Sequence, residues 1–148
     1  MSKKQSILRA LAEKIKAIDG TVDFKTDISN NSYPQLKFWD QCTDFPSVYM
    51  SSGFEAREIA ELHGGYWGFL NVGIRAYCKG ENSQDELEDL MDDIEVVINK
   101  NLQLEYEPDR FTVDIVINSI TTDEGLLAPF SVGEISCTVR YDIHREYN

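Results

Sequence analysis

The 148-residue sequence predicts one α+β domain, spanning residues 1–148, in which two main helices pack on one face of a mostly antiparallel β-sheet. Two segments repeat apolar residues at the spacing of a helix, and three repeat them at every second position, as strands do. Along the chain the order is helix, two or three strands, helix, two strands. No apolar run approaches the ~20 residues that a membrane helix needs, and we expect no signal peptide.

The first helix is predicted from about Ser2 to Ile18. Ser2 and Gln5 have the spacing of a capping box, and Asp19-Gly20 is a stop signal. One face of this helix is apolar and carries Ile7, Leu8, Leu11, Ile15 and Ile18. The opposite face is basic and carries Lys3, Lys4, Arg9, Lys14 and Lys16. Such a helix can lie on a membrane, but we favour one that packs on its own domain and exposes a solvated basic face.

The middle of the chain combines predicted strands with irregular structure. Residues 27–34 are turn-rich, residues 35–39 fit a short strand, and residues 47–51 fit a strand that begins after Pro46. Residues 52–65 are mixed and polar, and we interpret them as a long excursion that ends at Gly64-Gly65. The strongest strand is predicted over residues 66–77. Its apolar face indicates a core, and its aromatic and polar face indicates a partner or another layer.

The second helix follows a second predicted capping box, Ser83 and Glu86. Its apolar stripe consists of Leu87, Leu90, Met91, Ile94, Val97 and Ile98. Residues 81–95 hold eight acids and no Lys or Arg, and the candidate acidic face comprises Asp85, Glu88, Asp89, Asp92 and Asp93. We favour a solvated face, and the alternative is a surface that meets a basic partner or repels DNA. The sequence lacks the pattern of an EF-hand calcium loop.

Two strands are predicted at the end of the chain. Residues 111–120 place Phe111, Val113, Ile115 and Ile117 on one face, and residues 132–143 place Ile135, Cys137, Val139, Tyr141 and Ile143 on one face. Between them, Asp123-Glu124-Gly125 predicts a turn, and four apolar candidate interface residues follow: Leu126, Leu127, Pro129 and Phe130. An apolar loop either folds over its own core or is buried by another chain, and the sequence leaves both interpretations open.

Motifs for enzyme chemistry are not found, and we expect neither an enzyme nor a cofactor or metal. The sequence contains no P-loop, dinucleotide-binding or nucleophile-elbow pattern. A Cys–His nucleophile pair would need His63 or His144 beside Cys42, Cys78 or Cys137, and none of these has a recognisable surrounding motif. The odd, widely spaced cysteines favour a reduced state. The net charge of −12 argues against nucleic-acid binding.

The order and spacing of several features form one pattern from about Ile7 to Tyr141. These are the amphipathic first helix, F-P-x-V-Y-M at residues 45–50 followed by Gly53-Phe54-Glu55, an aromatic-rich strand ending at residues 74–77, the helix over residues 87–98, the strand over residues 113–120, and G-E-I-S-C-T-V-R-Y at residues 133–141. The assembled pattern resembles the tail terminator (tail completion) proteins of long-tailed bacteriophages.

The resemblance implies a structural virion protein that forms a hexameric ring on the last ring of the tail tube. Such a ring stops tube polymerisation and meets head or neck connector proteins on its other side. DNA passes through it without sequence-specific binding. We add Phe54 and Arg57 to the candidate interface residues. The protein would lie in the virion tail, after synthesis in the host cytoplasm, with no membrane partner. The alternatives are a neck or head-completion connector, and a small acidic binding or inhibitor protein.

Overall fold

The computed structural model describes residues 2–60 and 64–143 of the chain. The helices are α1 (Lys3–Ile15) and α2 (Ser83–Lys100), and a short 3-10 helix spans Trp39–Gln41. The strands are β1 (Ser32–Tyr33), β2 (Ser47–Ala60), β3 (Gly65–Lys79), β4 (Glu105–Glu107), β5 (Arg110–Phe111), β6 (Asp114–Thr122) and β7 (Phe130–Ile143). The main sheet has the order β1-β2-β3-β7-β6, and only the β1–β2 pair is parallel; β4 and β5 form a second sheet. The predicted α+β class is confirmed.

Both helices pack on one face of the main sheet. Alternate residues of β3 and β7 are buried with them in one core: Leu70, Val72, Ile74, Ala76, Ile135, Cys137, Val139 and Tyr141. Helix α2 comes so close to β7 that a Cβ atom added at Gly133 would lie 2.9 Å from Met91 Sδ. We call the opposite face of the main sheet the outer face. Neither described helix covers it.

Helix α1 begins as the sequence predicts and ends earlier. The Ser2 hydroxyl accepts a hydrogen bond from Gln5 N–H at 3.2 Å, and Gln5 Oε1 accepts one from Ser2 N–H at 2.9 Å, which confirms the capping box. The helix ends at Ile15 instead of Ile18, because the next turn tightens and Ile18 N–H bonds to the Ile15 carbonyl at 3.1 Å. Ile18 is nevertheless fully buried, so the predicted apolar stripe extends past the helix end.

Helix α2 confirms the predicted stripe, but the predicted capping box is wrong. The N-cap residue is Asn82, and Ser83 is already helical. The Ser83 hydroxyl is buried and lies 2.8 Å from the Ser131 hydroxyl at the start of β7. This serine therefore joins the helix to the sheet instead of capping the helix.

The interpretation of residues 52–65 as an excursion is wrong. Strand β2 continues to Ala60 and pairs with β3 as far as Ala60↔Gly65, with a bulge between Ser52 and Phe54. Most of this distal half of β2 is exposed, so its sequence lacks the alternation that indicates a half-buried strand. The predicted strand at residues 35–39 is also wrong. That segment is irregular, and the Tyr77 hydroxyl donates to the Lys37 carbonyl at 2.6 Å.

The strand predicted over residues 111–120 is divided between two sheets. Phe111 belongs to β5, pairs with Glu105 and is 52% exposed. Strand β6 begins at Asp114, and among the four residues predicted to share an apolar face only Ile115 is buried. Ile115 and Ile117 share the core side of β6 as predicted, and Ile117 is partly buried. The prediction is wrong for Phe111 and Val113, because the strand is interrupted before Asp114.

Candidate functional site

The described residues contain no group of three or more His, Cys, Asp or Glu side chains that could hold a metal. Burial raises the pKa of the Cys78 thiol, and it raises the pKa of Cys137 to about 12. Both thiols are therefore protonated and poor nucleophiles near neutral pH. His63 and His144, the predicted partners for cysteine chemistry, lie outside the described residues. No helix of the described part is long and apolar enough to cross a membrane.

The β6–β7 turn, residues 123–129, presents an apolar side chain to solvent. Asp123 organises it: its carboxylate accepts hydrogen bonds from Leu127 N–H and Val132 N–H, each at 3.1 Å. Glu124 and Gly125 both have positive φ, which closes the predicted turn. Leu126 at the tip is 85% exposed. Leu126 is therefore accessible to another chain, and it stays a candidate interface residue as the sequence proposes.

The sequence left open whether the apolar residues of this segment pack on their own core or contact another chain. The other apolar residues of the segment differ in this respect. Phe130 packs within its own chain, with ring centroids 5.0 Å from Trp39 and 5.7 Å from Phe45. Lys79 Nζ lies 5.1 Å from the centre of the Phe130 ring. Leu127 is half-buried, whereas Pro129 is exposed. Leu126 and Pro129 therefore remain the accessible candidates, and Phe130 is largely used by the fold.

The distal halves of β2 and β3, residues 53–60 and 65–71, pair with each other, and we call them the hairpin arm; along it, β3 also pairs with β7. Phe54 and Ile59 on this arm are 66% and 68% exposed. Arg57 is also exposed, and its Nε donates to Glu55 Oε2 at 3.0 Å. The Glu55 side chain is only 5% exposed, and the Tyr141 hydroxyl of β7 donates to its other oxygen. A buried carboxylate thus connects the arm to the core and orients Arg57.

The outer face of the main sheet combines aromatic and polar groups, as the sequence predicts. The Arg140 guanidinium lies 4.4 Å from the centre of the Trp67 ring and 5.7 Å from that of Phe69. At the other end of this face, Tyr49 stacks on Tyr33 with ring centroids 5.0 Å apart. That end is covered by the irregular segment after β1. The arm end carries no such cover from the described residues.

The acidic face of α2 is smaller than the sequence predicts. Asp93 does not belong to it: only 1% of this residue is exposed, and its carboxylate accepts hydrogen bonds from Thr26 N–H at 2.8 Å and the Thr26 hydroxyl at 2.6 Å. Lys25 Nζ lies 3.1 Å from Asp92 Oδ2 and 4.0 Å from Asp89 Oδ1. The hydrogen bond to Asp92 is the main cause that raises the pKa of Lys25. Asp85 and Glu88 are exposed carboxylates for which no ion pair is described.

Exposed Ile59, buried Glu55 and the contact between Glu55 and Tyr141 were not predicted from the sequence. The first two lie in the segment interpreted as an excursion, so neither could be assigned to a strand face. A glutamate pointing at the core side of a strand has no signal of its own in a sequence. Its aromatic partner comes from residue 141, far along the chain.

These features define a class of protein: a small α+β fold whose exposed apolar turn and arm suit contact with other subunits. The family described as "Bacteriophage Tail Tube Terminator Protein" matches residues 1–147. The chain belongs to this family of structural virion proteins and is a component of the virion tail, which confirms the resemblance found from sequence.

Two relatives illustrate the match. The chain is similar to "Tail tube terminator protein p142" of Escherichia phage T5, with 34% identity over 153 residues that cover 95% of this chain and 94% of that protein. Its fold is similar to a chain in "Virion of native gene transfer agent (GTA) particle", with a TM-score of 0.56 and 12% identity. That similarity covers 91% of this chain and 93% of the other, and it shows a shared fold.

Proposed function

We propose that copies of this chain form a ring, with the six subunits that the resemblance implies, which caps the tail tube and stops its polymerisation. The other side of the ring provides the surface that joins the head or its neck connector proteins. The observation that carries the proposal is the match of a tail tube terminator family over residues 1–147. The family match extends over nearly the whole chain, so the function in the family's name is proposed for the whole chain and not for one segment of it.

Exposed apolar groups support contacts with several neighbours. A closed ring is heterologous, so each subunit needs two different surfaces that fit each other, as well as surfaces for the tube and the head. Leu126 with Pro129 on the β6–β7 turn, and Phe54 with Arg57 on the hairpin arm, supply two separate candidates. The basic face of α1 and the acidic face of α2 carry opposite charges, which would help to orient subunits as they approach.

DNA passes through the proposed ring without sequence-specific binding. The net charge of −12 supports this part of the proposal, because a negative surface does not attract phosphates. The exposed carboxylates Asp85, Glu88 and Asp92 are the candidates for lining the hole. Reversing these three charges should make particles retain DNA in the tail, and DNA release measured after opening the virion would report it. Unchanged release would remove these residues from the channel.

The direct test is tail assembly in infected cells that lack this protein. Negative-stain imaging should show tubes of abnormal, extended length without heads, and the wild-type chain supplied in trans should restore normal tails. Leu126→Asp should restore them poorly, because it places a charge on the exposed turn. Val22→Asp is the matched control, since Val22 is fully exposed in the loop after α1.

The same images separate the connector alternative from the proposal. A neck or head-completion connector is needed only to join heads, so its loss would leave tails of normal length without heads. Normal tails that carry heads in the absence of this protein would contradict both functions.

A further inference from the structure

We propose that copies of this chain join edge to edge, with β6 of one copy hydrogen-bonded antiparallel to the distal half of β2 in the next copy. The main sheet would then continue from subunit to subunit. This inference rests on the proposed ring and names the surface by which its subunits meet.

Both outer strands of the main sheet have an open edge within the described residues. Strand β6 pairs only with β7. Strand β2 pairs with β1 only at Val48 and Tyr49, so residues 51–60 have no strand on their outer side. An unpaired edge presents a row of backbone N–H and C=O groups that accept a further strand.

The β6 edge lacks most devices that keep an edge from pairing. Its nine residues contain a single charged side chain, Asp114, and neither proline nor lysine. Val116 and Ile120 on this strand are 52% and 45% exposed. Proteins that keep an edge solitary usually place lysine or proline there. The bulge near Asn118 is the one irregularity, and its side chain donates to Thr138 Oγ1 at 2.7 Å within the same sheet.

The strand directions favour a second copy as the occupant. Strands β2, β3, β7 and β6 alternate in direction, so β2 and β6 run antiparallel to each other at opposite edges. Rotation about an axis along the strands keeps every copy in the same orientation. It therefore places β6 of one copy antiparallel to β2 of the next, and this contact is heterologous, as a closed ring requires.

The register of the sheet identifies the side chains that would meet. Phe54 lies opposite Asn71, Asn71 opposite Thr138, and Thr138 opposite Val116, so Phe54 and Val116 occupy the two ends of one row. Both are exposed, and the row lies on the outer face. When the edges join without a shift, Phe54 of one copy lies beside Val116 of the next, an aromatic–β-branched pair that stabilises antiparallel strands.

Disulfide cross-linking in assembled tails tests this contact. Neighbouring antiparallel strands bring paired Cα atoms within about 4.5–5.5 Å, which a disulfide spans. Phe54→Cys would be combined with Val116→Cys, or with Asp114→Cys or Ser119→Cys to allow a shifted register. All variants carry Cys42→Ser, because Cys42 is partly exposed. Mild oxidation should convert one of the three pairs into a ladder of covalent oligomers.

Two controls show whether the covalent oligomers depend on the pair of cysteines at the proposed contact. Phe54→Cys alone should give no species larger than a dimer, and Phe54→Cys with Val22→Cys should behave like that single variant. The proposal is overturned if none of the three pairs gives a ladder in tails of normal length, and such tails leave the proposed capping function intact.

If the cysteine variants do not fold, amide exchange on the wild-type protein replaces them. Residues 114–117 should exchange at least tenfold more slowly in tails than in the free chain, and equal exchange contradicts edge pairing.

Discussion

Asp93 provides the sharpest test of the packing between α2 and the loop that follows α1. Its carboxylate accepts hydrogen bonds from Lys25 N–H at 3.0 Å, Thr26 N–H at 2.8 Å and the Thr26 hydroxyl at 2.6 Å. Replacement by alanine removes the acceptor and leaves the donors of buried Thr26 unpaired. Hydrogen bonds to a charged group contribute about 1.5–3 kcal/mol each, so the two bonds of Thr26 predict a loss of about 3–6 kcal/mol in the free energy of unfolding for Asp93→Ala.

Urea unfolding followed by circular dichroism measures this loss. The control is Glu88→Ala on the same helix, which removes an exposed carboxylate beyond the first turn and should change the free energy of unfolding by less than about 0.5 kcal/mol. For a chain of this size, the Asp93→Ala loss corresponds to a fall of about 10 °C in Tm. A variant within about 1 kcal/mol of the wild type would refute the structural role and return Asp93 to the solvated face.

Three further changes test other parts of the fold. Gly133→Val should lower the free energy of unfolding by about 1–3 kcal/mol, because a Cβ atom there would lie 2.9 Å from Met91. The control is Gly53→Val, because a Cβ atom at Gly53 would have nothing within 4 Å. Equal stabilities of the two variants would contradict the close approach of α2. Tyr141→Phe should cost about 1–3 kcal/mol by removing the donor to the buried Glu55 carboxylate, and an unchanged Tm would argue against that bond. In thiol labelling at pH 8, Cys42 should react in the native protein while Cys78 and Cys137 should react only after unfolding. Burial raises the pKa of Cys137 from 9.0 to about 12, so between these pH values the folded thiol stays neutral while the unfolded thiol ionises. The contribution of Cys137 to stability is therefore present below pH 9 and is lost as the pH rises from 9 towards 12.

The sequence predicts best those elements that have one buried and one exposed face. In α1, α2, β3 and β7, apolar residues recur at the period of the backbone, so both the type of each element and its buried face follow from the pattern. The hairpin arm could not be predicted in this way. Residues 53–59 lie at the edge of the sheet and, apart from Glu55, are exposed on both faces, which removes the alternation on which strand prediction depends.

The sequence predicts which acidic and apolar residues belong to the candidate site. It does not predict which of them are buried in the core and which remain on the surface. Asp93 has the same residue type and helical setting as Asp85, yet it is buried because Thr26, far away in sequence, supplies its donors. Phe130 and Leu126 belong to one apolar segment, yet only Phe130 meets Trp39 and Phe45. Such differences depend on tertiary neighbours, which a local pattern does not contain.

A cryo-electron microscopy reconstruction of the head-proximal end of the tail would show whether copies of this chain cap the tube. We expect one ring of copies of this chain on the last ring of tube subunits, with Leu126 or Phe54 in contact with a neighbouring subunit. A tube end that lacks this chain, or carries a single copy of it beside an open tube, would contradict the proposed function.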